Sequence, residues 1–80
     1  MDNKEKYIKA FVAALDIPEA DVRPDLAYQD IENWDSVGHM ELVAELEEAF
    51  DIMFEAEDII AFSSFQKGIE ILAKYGVIID

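Results

Sequence analysis

Between Asp16 and Asp35 the chain runs for about twenty residues with two prolines and no helical or strand period. On either side of it the apolar residues repeat as they do along one face of a helix. Upstream, Tyr7, Ile8, Phe11, Val12 and Leu15 fall at i, i+1, i+4, i+5 and i+8, which predicts an amphipathic helix from about Lys4 to Leu15, ended by Pro18. Downstream, the pattern predicts a second helix from about Ser36 to Phe50. It is entered through Asp35 or Ser36 as N-cap, residue types whose oxygens accept the free amide protons of a first turn. Connections beyond ~12–15 residues are uncommon in small domains and tend to be functional. Ile17, Val22, Leu26, Ile31 and Trp34 are spaced through this one like anchors. It therefore reads as a pinned loop that crosses the bundle and joins antiparallel helices.

The rest of the chain is helical as well. A last helix is expected from about Ser64 to Tyr75, with Ser63 and Gln66 forming a capping box and Gly76 as the stop. From Glu55 to Phe62 there is room for a short helix carrying Ile59, Ile60 and Phe62 inward. The tail Val77-Ile78-Ile79 is too short for a lone strand and is expected to pack on the bundle. No internal repeat or low-complexity tract interrupts this order. The fold class is all-α, and residues 1–80 are expected to form a single domain. A chain of this size buries only ~60 % of the surface it exposes when unfolded, so its core must be simple. It contains no cysteine, which removes disulfides and thiolate metal sites and suits a reducing compartment. The N-terminus MDNKEK lacks the apolar segment of a signal peptide, and no apolar run approaches the ~20 residues of a membrane span. The expected location is cytoplasmic, without membrane insertion.

Nineteen Asp and Glu against six Lys and Arg give a formal charge of −13. Such a field repels nucleic-acid phosphates and attracts basic protein surfaces. Acidity can also serve solubility alone, so placement matters. Turning the residues after Ser36 by 100° each puts His39, Leu42, Val43, Leu46 and Phe50 on a core stripe. Val37, Met40, Glu41, Ala44 and Glu48 lie on the other side, with Glu47 at its border. An exposed face with apolar residues among acids fits the dry centre and charged rim of a docking site.

Ser36 is a poor candidate for a catalytic nucleophile. His39, its only nearby base, lies toward the core stripe, and the chain has no glycine-rich elbow or oxyanion loop. His39 is better read as a partly buried imidazole bonded to the long loop. Asp30 and Glu41 occupy positions 1 and 12 of a possible calcium loop, but Trp34 at position 5 and Asp35 in place of the required glycine argue against it. No metal site or catalytic residue is expected. Ser36 is left as an N-cap or a site of covalent modification, since a helix N-terminus favours a bound phosphate.

The stretch DSVGHMELVAELEEAFDI resembles the signature of acyl carrier proteins, and the resemblance extends ungapped through the last helix. It implies a four-helix bundle with three longer helices, one short one and a long first loop. It further implies that Ser36, after Asp35, is esterified with 4′-phosphopantetheine drawn from coenzyme A by a phosphopantetheinyl transferase. The arm's thiol would then carry an acyl or aminoacyl group as a thioester to fatty-acid, polyketide or related biosynthetic enzymes. Glu41, Glu47 and Glu48 match the acids that meet basic patches on those enzymes, and Val37 and Met40 match the apolar contact positions. The carrier would act as a monomer and catalyse nothing. Phe50, Phe54, Ile59, Phe62, Ile69 and Leu72 are expected to line the interior. The bulk of Phe50, Phe54, Phe62 and Phe65 argues for short or polar cargo.

The chain departs from the fatty-acid-synthesis pattern at three positions. Gly38 stands where those carriers usually have an acid, His39 replaces their usual threonine, and Trp34 precedes the Asp. The WDS..H form is closer to specialised carriers. An acidic helical adaptor without a prosthetic group shares the same surface and differs only at Ser36.

Overall fold

The computed structural model describes residues 2–79. Among the described residues four α-helices follow one another, α1 (Asn3–Leu15), α2 (Ser36–Phe50), α3 (Ala56–Ala61) and α4 (Phe65–Lys74), with one 3-10 turn at Glu19–Asp21 inside the long loop. The all-α four-helix expectation holds, and the predicted bounds of α2 are the observed ones. The 3-10 turn was not foreseen, because nothing in Glu-Ala-Asp departs from an ordinary polar loop.

Each helix end has a local cause. Asp2 caps α1 by accepting from the Glu5 amide at 2.8 Å, and Asp16 ends it in the left-handed region at φ 52°. Asp51 does the same for α2 at φ 54°. At the end of α4, Gly76 takes φ +82°. The Gly76 amide bonds Ala73 O at 3.1 Å, and the Val77 amide bonds Leu72 O at 3.0 Å. That pair of bonds is the Schellman pattern, and the positive φ is what glycine supplies at low cost.

The expected Ser63–Gln66 capping box does not form. Ser64 is the cap and accepts from the Lys67 amide at 3.0 Å, while Gln66 reaches Pro24 O at 3.3 Å. The frame shifts by one residue because the Ser63 carbonyl is used elsewhere, accepting from the Tyr28 amide at 2.9 Å. Together with Phe65 N to Leu26 O at 2.8 Å, this bond sews the long loop to the start of α4.

The loop is pinned as its anchors suggested. Ile17, Val22, Leu26 and Trp34 are buried and Ile31 is half-buried. They join Tyr7, Phe11 and Leu15 of α1, Leu42 and Leu46 of α2, Phe62, and Leu72 of α4 in one core. The α1 and α2 faces form the most extensive helix pairing. Aromatic rings fill the middle in edge-on contact, Phe11 with Trp34 at 5.3 Å and with Tyr7 at 5.1 Å between centroids. Tyr7 donates its hydroxyl to Phe65 O at 2.7 Å, and burial pushes that phenol above its ordinary range.

Two details of the short helix and tail differ from expectation. Ile60 is 83% exposed, and Asp58 is the inward residue beside Ile59 and Phe62. At 100° per residue, positions 58, 59 and 62 share a face that position 60 cannot join. In the tail, Ile79 is buried and Val77 half-buried, but Ile78 is exposed. No helix among the described residues is long and apolar enough to cross a membrane.

Candidate functional site

Ser36 stands at the junction of the long loop and α2, where the backbone turns from extended to helical. Asp35 is the cap, at φ −107° and ψ −167°. Its Oδ1 accepts from the Gly38 amide at 2.8 Å, and its carbonyl accepts from the His39 amide at 2.8 Å. Ser36 is therefore the first helical residue and not the cap. Its hydroxyl is exposed and lies outside the capping bond. The amides of Ser36 and Val37 are among the first four of the helix, which lack partners along it.

The segment before Ser36 is fixed on both sides. Trp34 is fully buried; its amide bonds Ile31 O at 3.2 Å and its carbonyl accepts from Gln29 N at 3.1 Å. Asn33 donates its Nδ2 to Leu15 O at 2.8 Å, closing the end of α1. Gly38 is buried directly beneath, and a Cβ there would overlap Asn33 O and sit 3.1 Å from Leu15 Cδ2. Position 38 thus faces the loop and not a docking partner. The glycine is a packing requirement before it is a missing charge.

His39 also lies between elements. Trp34 donates Nε1–H to His39 Nδ1 at 3.0 Å, so Nε2 carries the proton and donates to Ile59 O at 2.8 Å. The imidazole is bonded to the loop, as expected, and also to α3, which was not foreseen. With both nitrogens engaged, the ring has none to offer as a base to Ser36.

The outward face of α2 presents Val37 and Met40, 66% and 53% exposed. Glu41, Glu45 and Glu48 are exposed around them. Glu47 is different. Half-buried, it accepts from the Phe54 amide at 2.9 Å through Oε2, so it closes the turn after α2. Of the acids singled out in the sequence, Glu41 and Glu48 remain available, and Glu45 joins them on the basis of position. From Pro24 to Gln66 the chain carries no Lys or Arg at all. This charge segregation was legible in the sequence and marks α2 and α3 as the acidic side.

On α3, Asp58 forms a clasp that composition did not reveal. Its carboxylate accepts from Lys74 Nζ at 2.6 Å and from the Tyr75 hydroxyl at 2.5 Å. The Tyr75 oxygen in turn accepts from the Glu55 amide at 2.9 Å. The hydrogen bonds from Lys74 and Tyr75 hold the Asp58 carboxyl below the usual carboxylate range, and the same contact raises Lys74 and Tyr75. A single acid in the inward register of Ile59 and Phe62 was the available signal. Its partners, sixteen and seventeen residues away, were not visible in the local pattern. Between α2, α3 and the loop lies a mostly apolar cavity of about 240 Å³ lined by Tyr28, His39, Ile59, Ile60, Phe62 and Ser63.

A family model described as a phosphopantetheine attachment site matches residues 7–71, a stretch that runs through Asp35, Ser36 and both faces of α2. An acyl carrier protein of Chlorobium phaeobacteroides (strain DSM 266 / SMG 266 / 2430) is 30% identical over 71 residues, covering 89% of this chain and 91% of that relative. No solved structure matches. Members of the matched family are carriers and not catalysts, and they meet phosphopantetheinyl transferase and biosynthetic enzymes. An exposed serine opening a capped helix, the acidic face beside it and these two matches lead to one conclusion: the chain belongs to the acyl carrier protein family and is a phosphopantetheine-carrying protein.

Proposed function

We propose that Ser36 is the attachment residue and that the loaded arm delivers a short acyl or aminoacyl group to biosynthetic enzymes docked on α2. The observation that carries this is the division of labour at the helix start. Asp35 does the capping, which leaves the Ser36 hydroxyl exposed and free to react. In the transfer from coenzyme A, Ser36 Oγ bonds the pantetheine-side phosphorus, adenosine 3′,5′-bisphosphate leaves, and the hydroxyl proton passes to the transferase. The first-turn amides of Ser36 and Val37 and the positive end of α2 favour the resulting phosphodiester anion. When bound, the group supplies a thiol on a flexible arm, which holds an activated acyl group at high effective concentration near a docked enzyme.

Val37 and Met40 form the apolar centre of the docking face, while Glu41, Glu45 and Glu48 steer basic surfaces toward it. Short cargo follows from the interior, where Phe11, Trp34, Phe54, Phe62 and Phe65 are buried and occupy the space a long chain would need. The test is to incubate the protein with coenzyme A and a broad-specificity transferase, then weigh the intact chain and map the modified peptide. The expected result is one added group on Ser36 and none on Ser36→Ala. No gain of mass, under conditions that load a control carrier, would leave an acidic adaptor as the better account.

A further inference from the structure

We infer that His39 is a specificity-determining residue, a latch that holds α3 against α2 and so limits the cargo the cleft can take. The inference deepens the carrier reading and rests on it for the identity of the cargo. Helix α3 has six residues, so most of its carbonyls lie in the final four, which have no partner within the helix. One of them, Ile59 O, accepts from His39 Nε2 at 2.8 Å. The cavity of about 240 Å³ opens at this bond, with His39 on the α2 wall and Ile59, Ile60 and Phe62 on the other.

The latch is rigid because the ring is boxed in. Trp34 fixes the tautomer through its bond to Nδ1 at 3.0 Å, with the two rings 20° from coplanar. Tyr28 and Phe62 meet it edge-on at 5.5 and 5.7 Å. The far side of α3 is held separately, by Asp58 and the Glu55 amide on the end of α4. With both sides tied, the cleft keeps its present volume. That volume exceeds the ~150 Å³ that takes benzene and falls short of the ~300 Å³ where pockets for larger ligands begin. A short acyl group fits it; a long one requires the His39–Ile59 bond to break.

The experiment compares His39→Leu, which has no donor, with His39→Gln, which keeps one for Ile59 O. The glutamine amide also offers an oxygen to Trp34 Nε1, which leucine does not, so the comparison is made in a Trp34→Phe background as well, where only the bond to α3 separates the two variants. In the apo proteins, amide exchange at Ile59 and Phe62 should be about two- to tenfold faster in His39→Leu than in His39→Gln, the scale of one hydrogen bond. Equal rates would overturn the latch, whether or not Ser36 accepts a prosthetic group. In the holo proteins, butyryl loading should raise the melting temperature of wild type and of both variants, and dodecanoyl loading should raise it in His39→Leu alone. Wild type stabilised by dodecanoyl as much as by butyryl would also overturn it. Failure of the loading reaction itself would count against the carrier reading. If His39→Leu does not fold, wild type and His39→Gln decide: dodecanoyl must leave Ile59 and Phe62 amide shifts in both unchanged, and movement of those shifts refutes the latch.

Discussion

Replacing Gly38 tests whether the loop before Ser36 is held by close packing on α2. A Cβ at position 38 would overlap the backbone oxygen of Asn33 and press on Leu15 Cδ2 at 3.1 Å. Because the nearer atom is backbone, no rotamer change relieves the clash. The loop must move. Overpacking of this kind costs about 1–3 kcal/mol, and movement of Asn33 also weakens its bond to Leu15 O, about 0.5–1.5 kcal/mol. Against this, alanine is favoured over glycine inside a helix by about 0.8–1 kcal/mol. The balance for Gly38→Ala is a loss of about 0.5–4 kcal/mol. Gly38→Asp should lose more, since aspartate recovers little helix propensity and sets a second carboxylate beside the cap of Asp35. Urea melts of wild type and the two variants would measure the loss. The transferase rate on Ser36 should fall in the same order, as the displaced loop carries Asp35 with it. A Gly38→Ala protein as stable as wild type, or more so, would refute the close-packing account.

Acid should reveal the Asp58 clasp. Its carboxyl is held below the usual range by Lys74 and Tyr75, so its contribution is complete above the ordinary aspartate pKa of ~3.9 and is lost as pH falls through the lower folded-state value. Asp58→Asn should therefore be less stable than wild type near neutrality and converge with it in acid; parallel urea midpoints from neutral pH to about pH 3 would contradict this. Reversing Glu41 and Glu48 to Lys should weaken binding to a partner enzyme and flatten its salt dependence, while shifting stability by no more than ~0.5 kcal/mol. Unchanged affinity would reduce the acidity of α2 to a solubility device. Glu47→Ala should instead act on stability, by about 1 kcal/mol, through its bond to the Phe54 amide.

What could be read in advance was whatever local chemistry decides. The stripes of α1 and α2 show because burial selects apolar residues at helical spacing, and Asp35 announces a helix start because a short acidic side chain suits a cap. The choice between Ser63 and Ser64 could not be made locally, as it depends on whether the Tyr28 amide claims the Ser63 carbonyl. Hydrophobicity alone puts Ile60 inside, whereas the register of α3 gives the inward position to an acid that finds its partners at the end of α4. Its angle on the helix and the family resemblance both put Glu47 at the docking rim, and the fold adds a bond that neither shows, from the Phe54 amide to its carboxylate. The Ser64 cap and the Asp58 clasp both depend on polar groups whose partners are distant in sequence.

The three departures from the fatty-acid-synthesis pattern, read singly, are a glycine without a charge, a histidine in place of threonine and an unexplained tryptophan. In the fold they form one unit. Gly38 lets the Asn33 backbone lie directly on α2, which sets Trp34 into the core beside Phe11. From there Trp34 points its indole N–H at His39, and the oriented imidazole gives its own proton to α3. A larger residue at 38 would move the tryptophan, and a histidine without the tryptophan would leave Nδ1 without its partner and the ring oriented by Ile59 O alone. The loop, α2 and α3 are thus joined through three side-chain choices within six residues of sequence, all adjacent to Ser36. Such a chain of contacts makes the three positions interdependent, because neighbours in one hydrogen-bonded network do not contribute additively. The charge absent at position 38 is then a consequence of building the proposed latch, and the proposed acidic docking surface lies farther along α2, at Glu41, Glu45 and Glu48.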